Sequence, residues 1–399
     1  MAPEFGGRYT HLRSLETIAE HRRSQSSRRR SKAVVGALAI LLTWVMFAFA
    51  TSGTRAAAAP TDQPEFLLVG ATGSQAVTVF RADEGSLTKV SQAPTAAQFS
   101  LGLTEHPNHR FVYSSGVASG TIQGWAMNSR GVLMPLPGGV VRVGEPVTGM
   151  AISPDGRYMV ASVGSLRTTL VTYRISETGR LSRVSATSQP HLISPLGHPL
   201  FAPDGKHVYV PSFVVGTMDA YRFSGEGGLT HIGTTEMAGL APALGSITPN
   251  GKFLYITNEQ SHNITGWRIL GNGTLEPIGA PFVGLMPHGM AITGDSKNMY
   301  VPTTMGLSVK HLSIGATGAL ALRGETPTGL AHPPARVVLS QDEKWLYVVD
   351  VASSGGDTAR VTAFHVLADG RLAPSGKPSV DTGLTFADGD TAFTMIPSR

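Results

Sequence analysis

The chain has 399 residues, with 32 Lys and Arg, 27 Asp and Glu, and no cysteine. Without thiols, disulfides, thiolate metal centres and cysteine nucleophiles are excluded. The excess positive charge is confined to residues 1–58, which hold nine Lys and Arg and three acids; the 23 basic and 24 acidic residues that remain nearly cancel and form no basic run, which excludes a nucleic-acid surface.

Residues 1–32 are polar and basic, with Arg22, Arg23, Arg28, Arg29, Arg30 and Lys32. Eighteen uncharged residues follow, Ala33–Ala50, and then small residues including Ala56-Ala57-Ala58. Basic, apolar, small is the order of a secretory signal. The apolar run is also long enough to act as a single membrane anchor. In either case the basic flank stays in the cytoplasm and the rest of the chain is expected outside. The division is therefore a cytoplasmic region at 1–32, a signal with its cleavage region or an anchor at 33–58, and one folded body at 59–399. Ser27-Arg28-Arg29 resembles a twin-arginine signal, but Ser31 and Lys32 stand where that signal is apolar.

Beyond the linker Thr51–Pro64, one pattern recurs seven times. A glycine is followed two residues later by a leucine at Gly85, Gly131, Gly179, Gly227, Gly273, Gly318 and Gly370, at intervals of 46, 48, 48, 46, 45 and 52 residues. Five to eight residues earlier lies an aromatic in an alternating run: Phe80, Trp125, Tyr173, Tyr221, Trp267 and Phe364, with Lys310 in the sixth copy. Upstream of that run a tight turn leads into a second strand, as in SPDGRYMVAS from Ser153 and TPNGKFLYITN from Thr248. Pro presets the first corner of such a turn and Gly accepts its positive φ. The flanking runs are β-branched and aromatic with period two, the mark of strands. In the third copy the strands read Gly149–Ser153, Arg157–Ser162, Thr169–Ile175 and Leu181–Ser185; we letter them A to D.

Four antiparallel strands in 40–50 residues is the blade of a β-propeller. The fold class is all-β, a seven-bladed propeller with four antiparallel strands per blade. The B strands begin near Phe66, Phe111, Tyr158, Val208, Leu254, Met299 and Leu346. The first copy lacks an A strand, and Thr391–Ile396 matches one, so the C-terminal strand is expected to join the N-terminal blade and close the ring. Closure removes exposed strand edges.

In this order of strands, the start of A and the end of B share one rim of the channel. Ligand sites concentrate at such mouths. Counting from each turn proline, the polar residues placed at that rim are Thr148, His198, Ser212, Asn258, Glu259, His288, Thr303, Thr304, Arg336, Asp350 and Thr391. His106-x-x-His109 falls on the opposite rim and reads as turn surface. Asp388-Gly-Asp390 reads as a turn, not a cation loop. No Gly-x-Ser-x-Gly elbow, His-Glu-x-x-His or P-loop occurs. The strand-C aromatics read as packing between blades.

The run Ile247–Gly279, ITPNGKFLYITNEQSHNITGWRILGNGTLEPIG, resembles the seven-bladed lactonase family, which includes 6-phosphogluconolactonases and carboxymuconate cyclases. Surface propellers of the YVTN type are near relatives through LYITN. The resemblance extends over residues 64–399. It implies an Asn-Glu pair at the end of one B strand, which Asn258-Glu259 matches. It also implies a histidine opening a strand A. His198 stands one residue late for that place, with Gly197 at the expected position. An Arg-His pair opening the A strand of the Asn-Glu blade is replaced by Ala243 and Leu244. An Asn-Arg pair ending the next B strand is replaced by Thr303 and Thr304. Two cations of the family pattern are missing, which argues against a phosphorylated lactone.

On this resemblance the chain is an exported lactone hydrolase without cofactor or metal, and a monomer. Lactone opening needs a base for water and donors for the oxygen that gains charge. Glu259 is the expected base, and His288 the hydrogen-bond donor or proton shuttle. His198 and Arg336 are expected to hold an anionic end of the substrate, with Asn258 and Thr304 beside them. Each also has a plain structural reading: a solvated carboxylate for Glu259, a rim hydrogen bond for His288, loop support for His198, an ion pair with Asp350 for Arg336. Two other functions stay open, a non-catalytic surface propeller that binds protein or glycan, and a cyclase of the muconate type.

Overall fold

A computed structural model describes residues 65–70, 73–191, 197–351, 357–385 and 393–397. The N-terminal 1–58, Thr391 and Asp388-Gly-Asp390 lie outside these residues. Seven antiparallel sheets of four ladder positions each follow one another around a ring. Blade 5 is typical: A is Pro242–Ile247, B Phe253–Asn258, C Asn263–Ile269 and D Leu275–Gly279. Blade 1 takes its A strand from the far end of the chain. Phe393–Pro397 pairs antiparallel with Glu65–Gly70, and Met395 faces Leu67. The ring is sealed by this pairing, one residue later than the sequence suggests. In blade 7 the outer strand is split into Leu372–Pro374 and Val380–Asp381, both on strand C Arg360–Val366. Among the described residues no helix is long and apolar enough to cross a membrane.

The recurrent glycine has two causes. In the C–D turn it takes a positive φ, as at Gly179 (77°) and Gly318 (88°). It also lies against the first ring of the preceding blade's B strand: Phe111 meets Gly179 and Phe253 meets Gly318 so closely that a Cβ would overlap them. In blade 4 a 3-10 turn at Gly225–Gly227 reshapes a connection of the same length, and the glycine against Tyr158 is Gly225, two residues before Gly227.

A second contact ties the same turn. The phenols of Tyr113, Tyr209, Tyr255 and Tyr300 donate to the carbonyls of Gly179, Gly273, Gly318 and Gly370 in the next blade, at 2.6–3.0 Å. Burial raises these phenols well above the usual tyrosine value, which keeps them neutral donors. Each bond crosses a blade boundary, so the loss of one is felt by the whole ring. Tyr255→Phe keeps the ring but leaves the Gly318 carbonyl without this donor. An unmade buried hydrogen bond costs about 1–3 kcal/mol. The expected result is a lower urea midpoint with an unchanged slope.

The strand-C aromatics pack between blades, and Trp125, Tyr221, Trp267 and Phe80 are fully buried. The sixth copy needs a correction. Residues Trp267, Tyr221 and Tyr173 each follow a β-bulge and face the second residue of the structural B strand. By that register the blade 6 equivalent is Leu312, opposite Met299, and not Lys310. Lys310 lies two residues earlier and pairs with Glu325 at 2.5 Å.

Candidate functional site

Two loops meet where blades 5 and 6 adjoin. Glu259 ends the B side of blade 5, its N–H held by the Ala241 carbonyl at 3.0 Å. His288 precedes the short A strand of blade 6 (Ala291–Ile292), its N–H held by the Pro302 carbonyl at 3.0 Å. Their side chains meet with Glu259 Oε1 2.8 Å from His288 Nε2. Both are buried, 6% and 1% exposed, so Glu259 is not a solvated loop carboxylate. On the other side of the ring, His288 Nδ1 lies 2.9 Å from the Ala335 carbonyl of blade 7. A carbonyl only accepts, so Nδ1 carries a proton there. The contact sets Nε2 directly against Oε1.

Ala335 is presented by a bulge. In strand A of blade 7 (Pro334–Leu339), Pro334 faces Asp350 and Arg336 faces Val349, so Ala335 is the extra residue. Bulges of this kind re-aim side chains next to functional sites. Arg336, next in line, bridges to Gly289, the neighbour of His288.

Arg336 belongs to a layer across the channel. Gly102 and Gly149 occupy the same register, opposite Ser115 and Ser162. Five positions before the turn the sequence has Gly102, Gly149, His198, Leu244, Gly289 and Arg336. Three glycines leave room for three long side chains. A Cβ on Gly149 would collide with the His198 ring. One on Gly289 would come 2.8 Å from Leu244 Cδ1 and 3.0 Å from Arg336 Cγ. Burial, with a smaller contribution from the Arg336 charge, pulls the His198 imidazole down to about 3. At neutral pH this layer thus holds one cation, Arg336, beside a neutral histidine.

The other rim residues are engaged in the scaffold. Asn258 is fully buried and its Nδ2 donates to Asn263 Oδ1 (2.9 Å) and Thr265 Oγ1 (2.8 Å). Thr304 Oγ1 donates to the Pro334 carbonyl at 3.0 Å and so joins blade 6 to blade 7. Thr303 bonds to Ser308, and Thr148 reaches the Ser162 carbonyl. Ser212 is buried. Asp350 does not pair with Arg336. It accepts the Arg360 N–H at 2.7 Å and lies 3.6 Å from His332, and burial raises its carboxyl. On the far rim, His106 is not turn surface. Its Nδ1 accepts the Asn108 N–H, so Nε2 donates to Gly156 at 2.8 Å and braces blade 2 to blade 3. Among the described residues no group of three or more His, Asp or Glu could hold a metal ion.

A cavity of about 630 Å³ occupies the channel on the A–B turn side. Of the six candidate residues only Arg336 lines it, at its inner end; Glu259 and His288 do not. Its rim is made of turns whose polar groups are used internally, as Thr293 bonds Asp295 and Ser340 bonds Asp342. Glu259 and His288 lie outside this cavity, at the end of strand B of blade 5 and before strand A of blade 6.

What the sequence left unread was the Ala335 carbonyl, the Leu244 side chain and the glycines beneath them. Glycine recurring at one register of strand A was the available signal.

Residues 200–292 match the family described as Lactonase, 7-bladed beta-propeller. That segment contains Asn258, Glu259 and His288, but neither His198 nor Arg336. A search of curated proteins finds no match. Among solved structures, the periplasmic gluconolactonase PpgL of Pseudomonas aeruginosa has a TM-score of 0.71 at 18% identity, covering 84% of this chain and 100% of its own. A candidate 6-phosphogluconolactonase of Bacteroides uniformis has a TM-score of 0.69 at 18% identity, covering 84% and 100%. Kuenenia stuttgartiensis hydrazine synthase has a TM-score of 0.57 at 17% identity, covering 75% and 94%. At these identities the likeness is one of fold, and one fold hosts different reactions.

Proposed function

We propose that the propeller hydrolyses a small organic lactone at the mouth formed by blades 5, 6 and 7, outside the cytoplasm. The observation that carries this is the buried Glu259–His288 contact at 2.8 Å, anchored through Nδ1 to the Ala335 carbonyl. A carboxylate oriented by a fixed imidazole is a base for water. In the proposed reaction, Glu259 takes a proton as the water oxygen bonds to the lactone carbonyl carbon. The ring C–O bond then breaks, and the leaving alkoxide receives that proton back through the Glu259–His288 pair. Arg336 is the cation for the carbonyl oxygen or for a carboxylate on the substrate, with His198 beside it. Asn258 and Thr304 set the loops that carry Glu259 and His288. The lactonase match over 200–292 and the gluconolactonase fold relative support the reaction class. The basic–apolar–small order of residues 1–58 and the periplasmic location named for that relative support export.

The test is pH-stat measurement of acid release by the purified full chain over a panel of γ- and δ-lactones. Saturable turnover above the buffer rate is expected. No turnover on any of them, together with retention on cell-envelope material, would replace this reading with the non-catalytic surface propeller.

A further inference from the structure

The loops that carry the Glu259–His288 pair are apolar and uncharged to an unusual degree. Residues 238–242 (AGLAP), 280–287 (APFVGLMP) and 304–307 (TMGL) contain no ionisable side chain. Within them, Leu240, Phe282, Met305 and Leu307 are 66%, 69%, 66% and 51% exposed, and Leu285 is exposed too. Hydrogen bonds tie these loops to the pair. The Leu240 carbonyl accepts the N–H of Gln260, next to Glu259. The Val283 N–H goes to the His262 carbonyl, and the Met286 N–H to His262 Nδ1 at 3.1 Å. The Thr304 N–H goes to the Met286 carbonyl, two residues before His288.

The backbone is held against its preference in these loops and in the adjoining B–C turn of blade 5. Ala241, His262, Met286 and Leu307 have φ of 55°, 59°, 54° and 50°. A left-handed residue with a side chain costs about 1–2 kcal/mol, and such residues collect at ligand clamps. Ala243 and Leu244, both buried, continue the apolar character inward to Arg336.

We propose that the apolar rim loops of blades 5 and 6 seat the hydrocarbon substituent of the substrate, which makes the substrate class alkyl- or aryl-substituted lactones and not phosphorylated sugar lactones. This rests on the hydrolase reading for the ring-opening step. The lactone carbonyl reaches Glu259 and Arg336, while the tail lies over Phe282, Met305 and Leu307. A phosphate in that position would meet no counter-charge from the three loops, and desolvating it there would be costly.

The test has two arms on the full chain. In the first, kcat/KM is measured for γ-lactones from γ-valerolactone to γ-undecalactone, with glucono-δ-lactone and its 6-phosphate alongside. Burial of each added methylene predicts a rise of about two- to fourfold, with the phosphorylated lactone last. Phe282→Ser and Met305→Ser are expected to flatten that rise. In the second, calorimetry measures binding of γ-lactams carrying the same tails, which need no turnover. Affinity that climbs with tail length in the wild type and not in the two variants supports the proposal even if hydrolysis is absent, in which case the hydrolase reading alone fails. Turnover with lactam affinity indifferent to tail length overturns the proposal and leaves that reading intact. Loss of sedimentation with phosphatidylcholine vesicles on the same substitutions, with flat lactam affinity, would assign the rim to a lipid surface and also overturn it.

Discussion

Replacing Glu259 by Gln is expected to lower kcat for lactone hydrolysis by about a hundred- to ten-thousandfold, the range that a positioned general base supplies. Gln has the shape of Glu and can still meet His288, so the 2.8 Å contact between blades 5 and 6 is conserved in outline. What it cannot do is accept a proton from water. The variant should keep the thermal midpoint of the wild type within a few degrees, which separates lost chemistry from lost fold. The pH profile adds a check that a purely structural Glu259 would not pass. Hydroxide needs no base, so the deficit of the variant should shrink as pH rises. Turnover within a few-fold of wild type would show that Glu259 is only a strut between blades. His288→Asn should also lose rate, with a changed pH profile, because the imidazole contact that orients the Glu259 carboxylate is then gone.

The ring itself was legible because it is written in short-range terms. A turn needing positive φ calls for glycine, a strand shows period two, and seven copies average out local exceptions. Even the closure of blade 1 by the far C-terminus followed from a missing strand at one end and a spare strand at the other. The misreadings came where the residue type or the turn form at a regular position changed. Leu312 stands six residues before Gly318, the spacing of most other copies, but it is not aromatic, and Lys310 does not take its place. Gly227 keeps the regular distance to its leucine, but the 3-10 turn in that connection brings Gly225 against Tyr158 instead.

The site was legible in part, for a different reason. Rim positions follow from the repeat, so Glu259, His288 and Arg336 could be put at one mouth without knowing their contacts. Pair formation depends on loop geometry, which no repeat encodes. The bulge at Ala335 recurs at Leu101 and Thr148, so the repeat carries it, but which of these carbonyls meets a histidine is set by the loop of the neighbouring blade. Asp350 shows the converse. It shares the rim and the blade with Arg336, but its bonds run to Arg360 and His332. Rim membership is set by the fold, whereas partnership is set by side-chain reach within the last few ångströms.

Acidification should unfold the protein in a way that His198 controls. This imidazole is fully buried, and burial together with the Arg336 charge pulls it from 6.5 down to about 3. Between those values the unfolded chain binds a proton that the folded chain refuses. The folded state binds fewer protons, so stability is fully present above pH 6.5 and falls as pH drops toward 3. At 1.36 kcal/mol for each pH unit, a drop from pH 6.5 to 5 removes about 2 kcal/mol. Measurement at pH 7 and pH 5 stays above the range where the carboxylates of Asp342, Asp369 and Asp381 begin to protonate, because hydrogen bonds and, for the first two, ion pairs with Lys344 and Arg371 hold them below the usual carboxylate value. His106, also lowered by burial, contributes equally to both proteins. His198→Gln fills most of the same space over Gly149 and cannot titrate. It is expected to start less stable at pH 7, because a buried ring is replaced, and then to lose about 2 kcal/mol less than the wild type on going to pH 5, read as converging urea midpoints. Parallel decline of the two midpoints would mean that His198 takes its proton in the folded state, and that Arg336 shares its layer with a second cation.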